Sequence, residues 1–330
     1  MLRLRLRSHS VLRADIPPVS LRCAPENPLT DPVHPLRFHG RYPYSAITRR
    51  PDYAWPKSRR LAVYVGFNVE HFAFGAGLGA CIGPKSHEPD VLNYSWRDYG
   101  NRVGVWRCLD LFGQLGVRVG AIINTALYDY CPEVIEACVK RGDELIGHGH
   151  TNSERQGEMT EMLEKALLKY CRERIQKESK LQVHGWLSPW ISESFVTPDL
   201  LHETGYSYTL NWCHDDQPVE MRTRGGKIWA IPYPQELNDI PAIIHRQMSA
   251  SAFADLVVDN FEEMLEQSRT QPLVMGIALH PYIVGQPHRL KHLRRALQHI
   301  VKEKRVWFTT PGAIAKWVSE TPTDETAFFS

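Results

Sequence analysis

Side chains able to move protons or bind a metal stand at four places in this chain, and each place closes an apolar run. "AVYVGFNVE" ends in Asn68 and Glu70, "ELIGHGHTN" carries His148, His150 and Asn152, "GWLSPW" carries Ser188 and Trp190, and "GIALHP" ends in His280. A carboxylate or imidazole at the end of a buried run needs a partner or a task, because burying an unpaired charge is costly. Glutamate and histidine are also the side chains that hold divalent ions or act as general acids and bases. Each has a plainer alternative: Glu70 in a rim ion pair, His148 as a satisfied core histidine, and "WLSPW" as packing. His150 is balanced between a pocket role and an ordinary loop role. Asn152 can offer a carbonyl oxygen to a metal, but it is a poor transition-metal ligand beside histidine. Asp239 in "ELND" and Asp215 and Asp216 in "HDD" are loop carboxylates that could cap a turn or a helix. Asp239 is kept as a pocket candidate.

The elements that must carry these residues alternate. Strands are read in "RLAVYVGFNVE", "RVGAIINTAL", "DELIGHG", "LQVHGWLSP", "YSYTLNW", "IWAIPYPQE", "PLVMGIALHP" and "RVWFTT". Helices are read in "GNRVGVWRCLDLFGQLG", "CPEVIEACVKRG", "TEMLEKALLKYCRERIQKES", "TPDLLHETG", "SASAFADLVVDNFEEMLEQSR", "HRLKHLRRALQHIVKEK" and "PGAIAKWVSE". Such alternation implies parallel strands joined by right-handed crossovers. The expected fold is α/β, a distorted (β/α) barrel of seven or eight parallel strands. In a barrel of this kind the chemistry lies at the C-terminal ends of the strands, which is where the polar clusters fall.

The chain has 330 residues, 43% hydrophobic and 23% charged, enough for one large core. Its net charge of +2 shows no basic face suited to nucleic acid. No run of about 18 apolar residues is present, so no membrane span is expected. Seven cysteines without a C-x-x-C pair fit a reduced, cytoplasmic chain in which thiols are small packing residues. The start "MLRLRLRSHSVLR" has no acid and vaguely resembles a transit peptide, but it lacks the apolar core of a secretory signal. Proline and aromatic residues crowd the stretch that follows, which excludes a long helix. Three segments are therefore expected: an extended arm over residues 1–58, the barrel over 59–320 and a tail over 321–330.

In order along the chain, "GFNVE", "HGHTN", "WLSPW", "ELND" and "IALHP" followed by "GQPHRLKHLRRAL" resemble the motifs of the polysaccharide deacetylase superfamily, carbohydrate esterase family 4. The nearest likeness is to its allantoinase-like and intracellular peptidoglycan deacetylase-like branch, which "YGNRVGVWRCLDLF" also resembles. The resemblance implies hydrolysis of a carbon–nitrogen bond other than a peptide bond, a small substrate with an amide-type bond, and a homo-oligomer. It puts Glu70, His148 and Asn152 in the metal-ligand places, Asn68 in that of the general-base aspartate, His280 in that of the general acid, and Trp190 in the pocket wall. Two departures stand out: Asn68 cannot accept a proton, and Asn152 replaces a histidine.

Two mechanisms follow as expectations. In one, zinc or another divalent ion, weakly held by Glu70, His148 and Asn152, polarises the carbonyl and lowers the pKa of its bound water. In the other no metal takes part, and Glu70, its pKa raised by burial, activates water. In both, His280 protonates the leaving nitrogen. The alternative is a catalytically inactive barrel retained as a binding or structural protein, which the loss of base and ligand together would suit.

Overall fold

The computed structural model describes residues 38–85 and 87–321. The arginine-rich start and most of the tail lie outside the described residues. The chain divides into two units, and the barrel belongs to the second, which begins at Gly40. Residues 40–58, read from the sequence as part of the arm, are in that second unit.

Strand β1 (Leu61–Val69) is buried at all nine positions. Its run of β-branched and aromatic residues suits a parallel strand covered on both faces. Helix α1 (Val91–Tyr99) is capped by Asp90, whose side chain accepts from the Asn93 N–H. It continues through a wide π turn at Gly100–Gly104 into α2 (Val105–Gln114). The helix thus starts nine residues before the "GNRVG" from which the sequence pattern reads it. Then come β2 (Gly120–Ile123), the short α3 (Leu127–Tyr130), α4 (Pro132–Arg141) and β3 (Glu144–Gly147). Helix α4 ends on Gly142 at φ 75°, a left-handed conformation that glycine adopts without strain. Helix α5 (Glu161–Ser179), capped by Thr160, leads to β4 (Gly185–Trp186), α6 (Thr197–Glu203) and β5 (Tyr208–Thr209). A hairpin follows, β6 (Val219–Thr223) and β7 (Gly226–Ala230), then α7 (Ala250–Gln267) and β8 (Leu273–Leu279). The chain closes with α8 (Pro281–Val284), α9 (Pro287–Val301), β9 (Val306–Thr309) and α10 (Pro311–Glu320). Helices α4, α8, α9 and α10 each begin with proline, whose missing N–H is not needed there.

Eight strands run parallel in one curled sheet, and β6 pairs antiparallel at the edge with β7. Strand β1 is the centre. Along one side it pairs with β8, from Leu61↔Leu273 to Phe67↔Leu279. Its other side is divided, with β9 pairing Leu61 to Tyr64 and β2 pairing Gly66 to Val69. The far side closes through irregular backbone: Ala278 N–H donates to Leu237 O, and Asn238 bridges to Ala278. This is the expected barrel, distorted by a split neighbour and an incomplete seam.

Side-chain alternation sorts the core. Val63, Val65 and Phe67 pack outward with the helices, while Ala62 and Tyr64 share an inner cluster with Ile122, Ile146 and Ala278. Cys108, Cys131, Cys138 and Cys171 are free thiols buried in the outer layer. Among the described residues, no helix is long and apolar enough to cross a membrane.

Candidate active site

The inner parity runs straight into the site. Counting on by twos from Tyr64, Ile122, Ile146 and Ala278, the chain reaches Asn68 and Glu70, Asn124, His148 and His280. All five side chains are buried. They converge because the strands are parallel and end together.

Glu70 is the hub. Its Oε1 accepts from Asn152 Nδ2 at 2.7 Å, and its Oε2 accepts from the Tyr282 hydroxyl at 2.8 Å. Two ring nitrogens, His148 Nε2 and His280 Nε2, each lie 3.5 Å from Oε1. Burial opposes the charge of this carboxylate, but His280 beside it, first among the opposing influences, prevails and its pKa is lowered to about 2. This corrects the sequence expectation of a Glu70 pKa raised by burial, which counted the desolvation and not the His280 imidazole beside it.

The two histidines are anchored differently. His148 Nδ1 lies 2.6 Å from the Leu187 carbonyl oxygen. A carbonyl only accepts, so Nδ1 carries the proton, and in the neutral ring Nε2 presents a lone pair. That buried Nε2 has no hydrogen-bond partner. His280 Nδ1 instead lies 2.6 Å from Asp239 Oδ1, and its backbone N–H donates to Asp239 Oδ2 at 2.8 Å. Burial works against the imidazolium, yet Asp239 and then Glu70 push the His280 pKa up to about 10.

Asn68 donates through Nδ2 to the Tyr233 hydroxyl at 2.9 Å and to Leu279 O at 3.3 Å. Asn124 donates to the His148 carbonyl and accepts the His71 N–H, fixing the backbone on both sides of the site. Ser188 Oγ accepts from Trp186 Nε1 and Asn211 Nδ2. Trp190, 38% exposed, sits on the rim and donates from Nε1 to Asn152 O at 2.9 Å. Trp190 and Ile191 follow Pro189 in left-handed backbone, at φ 61° and 52°. Each such residue costs on the order of 1–3 kcal/mol, and strain of this kind clusters at functional sites.

These groups line a cavity of about 250 Å³ that includes Asn68, Glu70, His148, Asn152, Ser188, Trp190 and His280. Two expected pocket residues are elsewhere. His150 leaves the site because Gly149, at φ 71°, turns the chain; its Nδ1 meets Thr125 Oγ1 at 3.0 Å and its ring meets Tyr170. Asp239 does not line the cavity but lies fully buried behind His280. Tyr233, Gln235 and Tyr282 line it without having been singled out in the sequence. Tyr282 was the most accessible to reasoning, two residues beyond His280 in "LHPY".

The donor set does not fit the zinc site that the resemblance implies. Asn152 turns its amide nitrogen to Glu70, and its Oδ1 faces Asn124 Nδ2 at 3.4 Å, so it offers the site no oxygen. Among the described residues no three His, Cys, Asp or Glu side chains are grouped to hold a metal ion. A firm zinc site needs three such ligands.

No family model matches the chain. A Schizosaccharomyces pombe protein named "Putative polysaccharide deacetylase" is 25% identical over 306 residues, which cover 81% of this chain and 93% of that protein. A Helicobacter pylori peptidoglycan deacetylase is 22% identical over 287 residues, covering 77% and 95%. The solved structure of a "probable Polysaccharide deacetylase" from Pseudomonas aeruginosa PAO1 matches with a TM-score of 0.75 at 25% identity, over 83% of this chain and 96% of that one. The structure of Puue allantoinase shares the fold with a TM-score of 0.75 at 24% identity, over 86% and 99%. With its strand-end site on this barrel, the chain is similar over most of its length to proteins named as polysaccharide or peptidoglycan deacetylases.

Proposed function

We propose that this chain hydrolyses a small amide-type carbon–nitrogen bond, in an acetamido compound or a cyclic amide, imide or ureide, without a metal. The relatives named as deacetylases and the allantoinase fold neighbour support the reaction class. The observation that carries the mechanism is the unequal anchoring of two rings on one carboxylate oxygen. His148, held by a carbonyl, offers a lone pair; His280, held by Asp239, offers a proton.

Glu70 Oε1 and His148 Nε2 stand 3.5 Å apart, so a water seated beside the pair, not between them, can donate to both. As its oxygen attacks the carbonyl carbon, one proton passes to His148 Nε2. His280 Nε2–H then protonates the nitrogen as the C–N bond breaks. Return of a proton from His148 to His280 resets the site. Glu70, ionised across the neutral range, orients the water and is a poor proton acceptor. Asn68, tied to Tyr233, positions and does not take a proton. Among the described residues no lysine or arginine lines the cavity, which favours a neutral substrate.

The test is a panel of N-acetylated sugars and cyclic imides and ureides, assayed with wild type, His148→Ala and His280→Ala before and after dialysis against a chelator. Each substitution is expected to cost roughly 10²–10⁴-fold in turnover, and wild-type activity is expected to survive dialysis. Activity that depends on one equivalent of tightly held metal would overturn the metal-free scheme. No turnover on any member of the panel would favour the inactive-barrel alternative.

A further inference from the structure

Once water has added to the carbonyl, its oxygen carries a negative charge, and a metal-free site must meet that charge with a hydrogen-bond donor. Most side-chain donors of the cavity wall are already engaged. Asn152 Nδ2 is on Glu70 Oε1, the Tyr282 hydroxyl is on Glu70 Oε2, and Trp190 Nε1 is on Asn152 O. Ser188 is fully buried, its Oγ held by Trp186 and Asn211. Tyr233 is placed differently. Gly66 is an inward position of β1, and a Cβ there would meet Tyr233 Cε2 at 3.2 Å, so the ring fills the room that this glycine leaves. From Gly66 the ring runs toward the site, because its hydroxyl meets Asn68, the next inward position of the strand. The hydroxyl end is therefore the end of Tyr233 that reaches the cavity. Its oxygen takes the Asn68 Nδ2–H at 2.9 Å. Among the described residues the acceptor for its own hydrogen is Asn68 Oδ1, at 3.3 Å, outside the roughly 2.5–3.0 Å of an ordinary O–H···O bond. That hydrogen is free to turn to a better acceptor in the cavity.

Resting on the metal-free hydrolase reading above, we propose that Tyr233 is a catalytic residue whose hydroxyl donates to the oxygen of the carbonyl under attack and holds the charge that this oxygen gains. As the water oxygen bonds to the carbon, the π pair of the C=O bond moves to the oxygen and meets the Tyr233 O–H. No proton leaves the phenol: burial, the largest influence on it, pushes its pKa up and keeps it a neutral donor. When the C–N bond breaks, the pair returns to the C=O bond and the nitrogen takes its proton from His280. Asn68 thereby gains a positioning task. Its amide N–H on the phenol oxygen turns the hydroxyl hydrogen outward and strengthens it as a donor. A carboxylate at position 68 would instead draw that hydrogen to itself.

The experiment uses the full chain as wild type, Tyr233→Phe, Asn68→Leu and the double variant, with N-acetylglucosamine, hydantoin and succinimide as turnover probes. Tyr233→Phe removes one oxygen and keeps the ring on Gly66, so the fold should be retained with a melting temperature a few degrees lower at most. On each probe that wild type hydrolyses, it should lower kcat roughly 10²–10³-fold and leave KM within about threefold, because the donor meets a charge that exists only after attack. Asn68→Leu removes the holding bond and keeps the donor. Adding Tyr233→Phe to it should still cost at least about tenfold in kcat. A Tyr233→Phe kcat within about threefold of wild type would overturn the proposal. So would a double variant no slower than Asn68→Leu, since the hydroxyl would then act only by holding Asn68. Either result leaves the hydrolase standing. No turnover of the three probes by wild type defeats the hydrolase reading instead, and the Tyr233 assignment falls with it.

Discussion

A single histidine carries the clearest consequence at the scale of the residue. His280 is raised to about 10 and Glu70 lowered to about 2, so both are charged between those limits. The stability that His280 contributes is complete below its unfolded value near 6.5 and is lost as pH rises through about 10. That of Glu70 is complete above about 4.5 and is lost as pH falls through about 2. Asp239 is the largest influence raising His280. Asp239→Asn should therefore move the alkaline limb of kcat/KM down by at least about one pH unit. A pH–rate profile of the two proteins decides it, and an unmoved limb would separate Asp239 from the acid. The reacting groups themselves were legible: Glu70, His148 and His280 each interrupt an apolar run, and polar groups do so only for a reason. What could not be read was which partner each one meets. Whether Asp239 lies behind a ring or in a turn, and which end of the Asn152 amide faces Glu70, are set by contacts between segments far apart in sequence.

At the scale of elements, the π turn and the short helix α8 depend on each other. A Cβ on Gly104 would overlap the Pro281 carbonyl oxygen, and one on Gly100 would crowd the Tyr282 backbone. Neither neighbour is a side-chain end that could swing aside. Helix α8 carries Tyr282, which holds Glu70 Oε2. Gly104→Ala should cost about 1–3 kcal/mol in urea unfolding through overpacking, and it should lower kcat as Glu70 loses its orientation. Unchanged unfolding and turnover would show that the two elements slide freely. Long periodic elements such as α5, α7 and β8 could be read to within a residue or two, because burial repeats along them. Strands β4 and β5 shrink to two residues each, since only a short stretch meets neighbours on both sides. Strand β6 escaped notice because "VEMRT" is an edge strand whose charged side chains mask its alternation.

Over the whole molecule, the segment before the barrel contributes to the core. Trp55 is 1% exposed, donates from Nε1 to Leu273 O at 3.0 Å, and packs on Trp307. Arg50 grips Asp215 with two bonds of 2.7 and 2.6 Å. Trp55→Ala should cost about 3–5 kcal/mol, visible as a lowered calorimetric Tm, and a Tm equal to wild type would place this segment outside the folding unit. Strand β1 has a different bearing on the molecule, through the order in which the chain is made. Its partners β8 and β9 start more than 200 residues after it. At ordinary rates of translation the nine residues "LAVYVGFNV", none of them charged, must wait roughly 10–40 seconds for β8 to be synthesised. The newborn chain is thus most open to aggregation in that interval, when its longest strand already exists and the β8 that will cover one whole edge, with the β9 that will cover part of the other, has not yet left the ribosome.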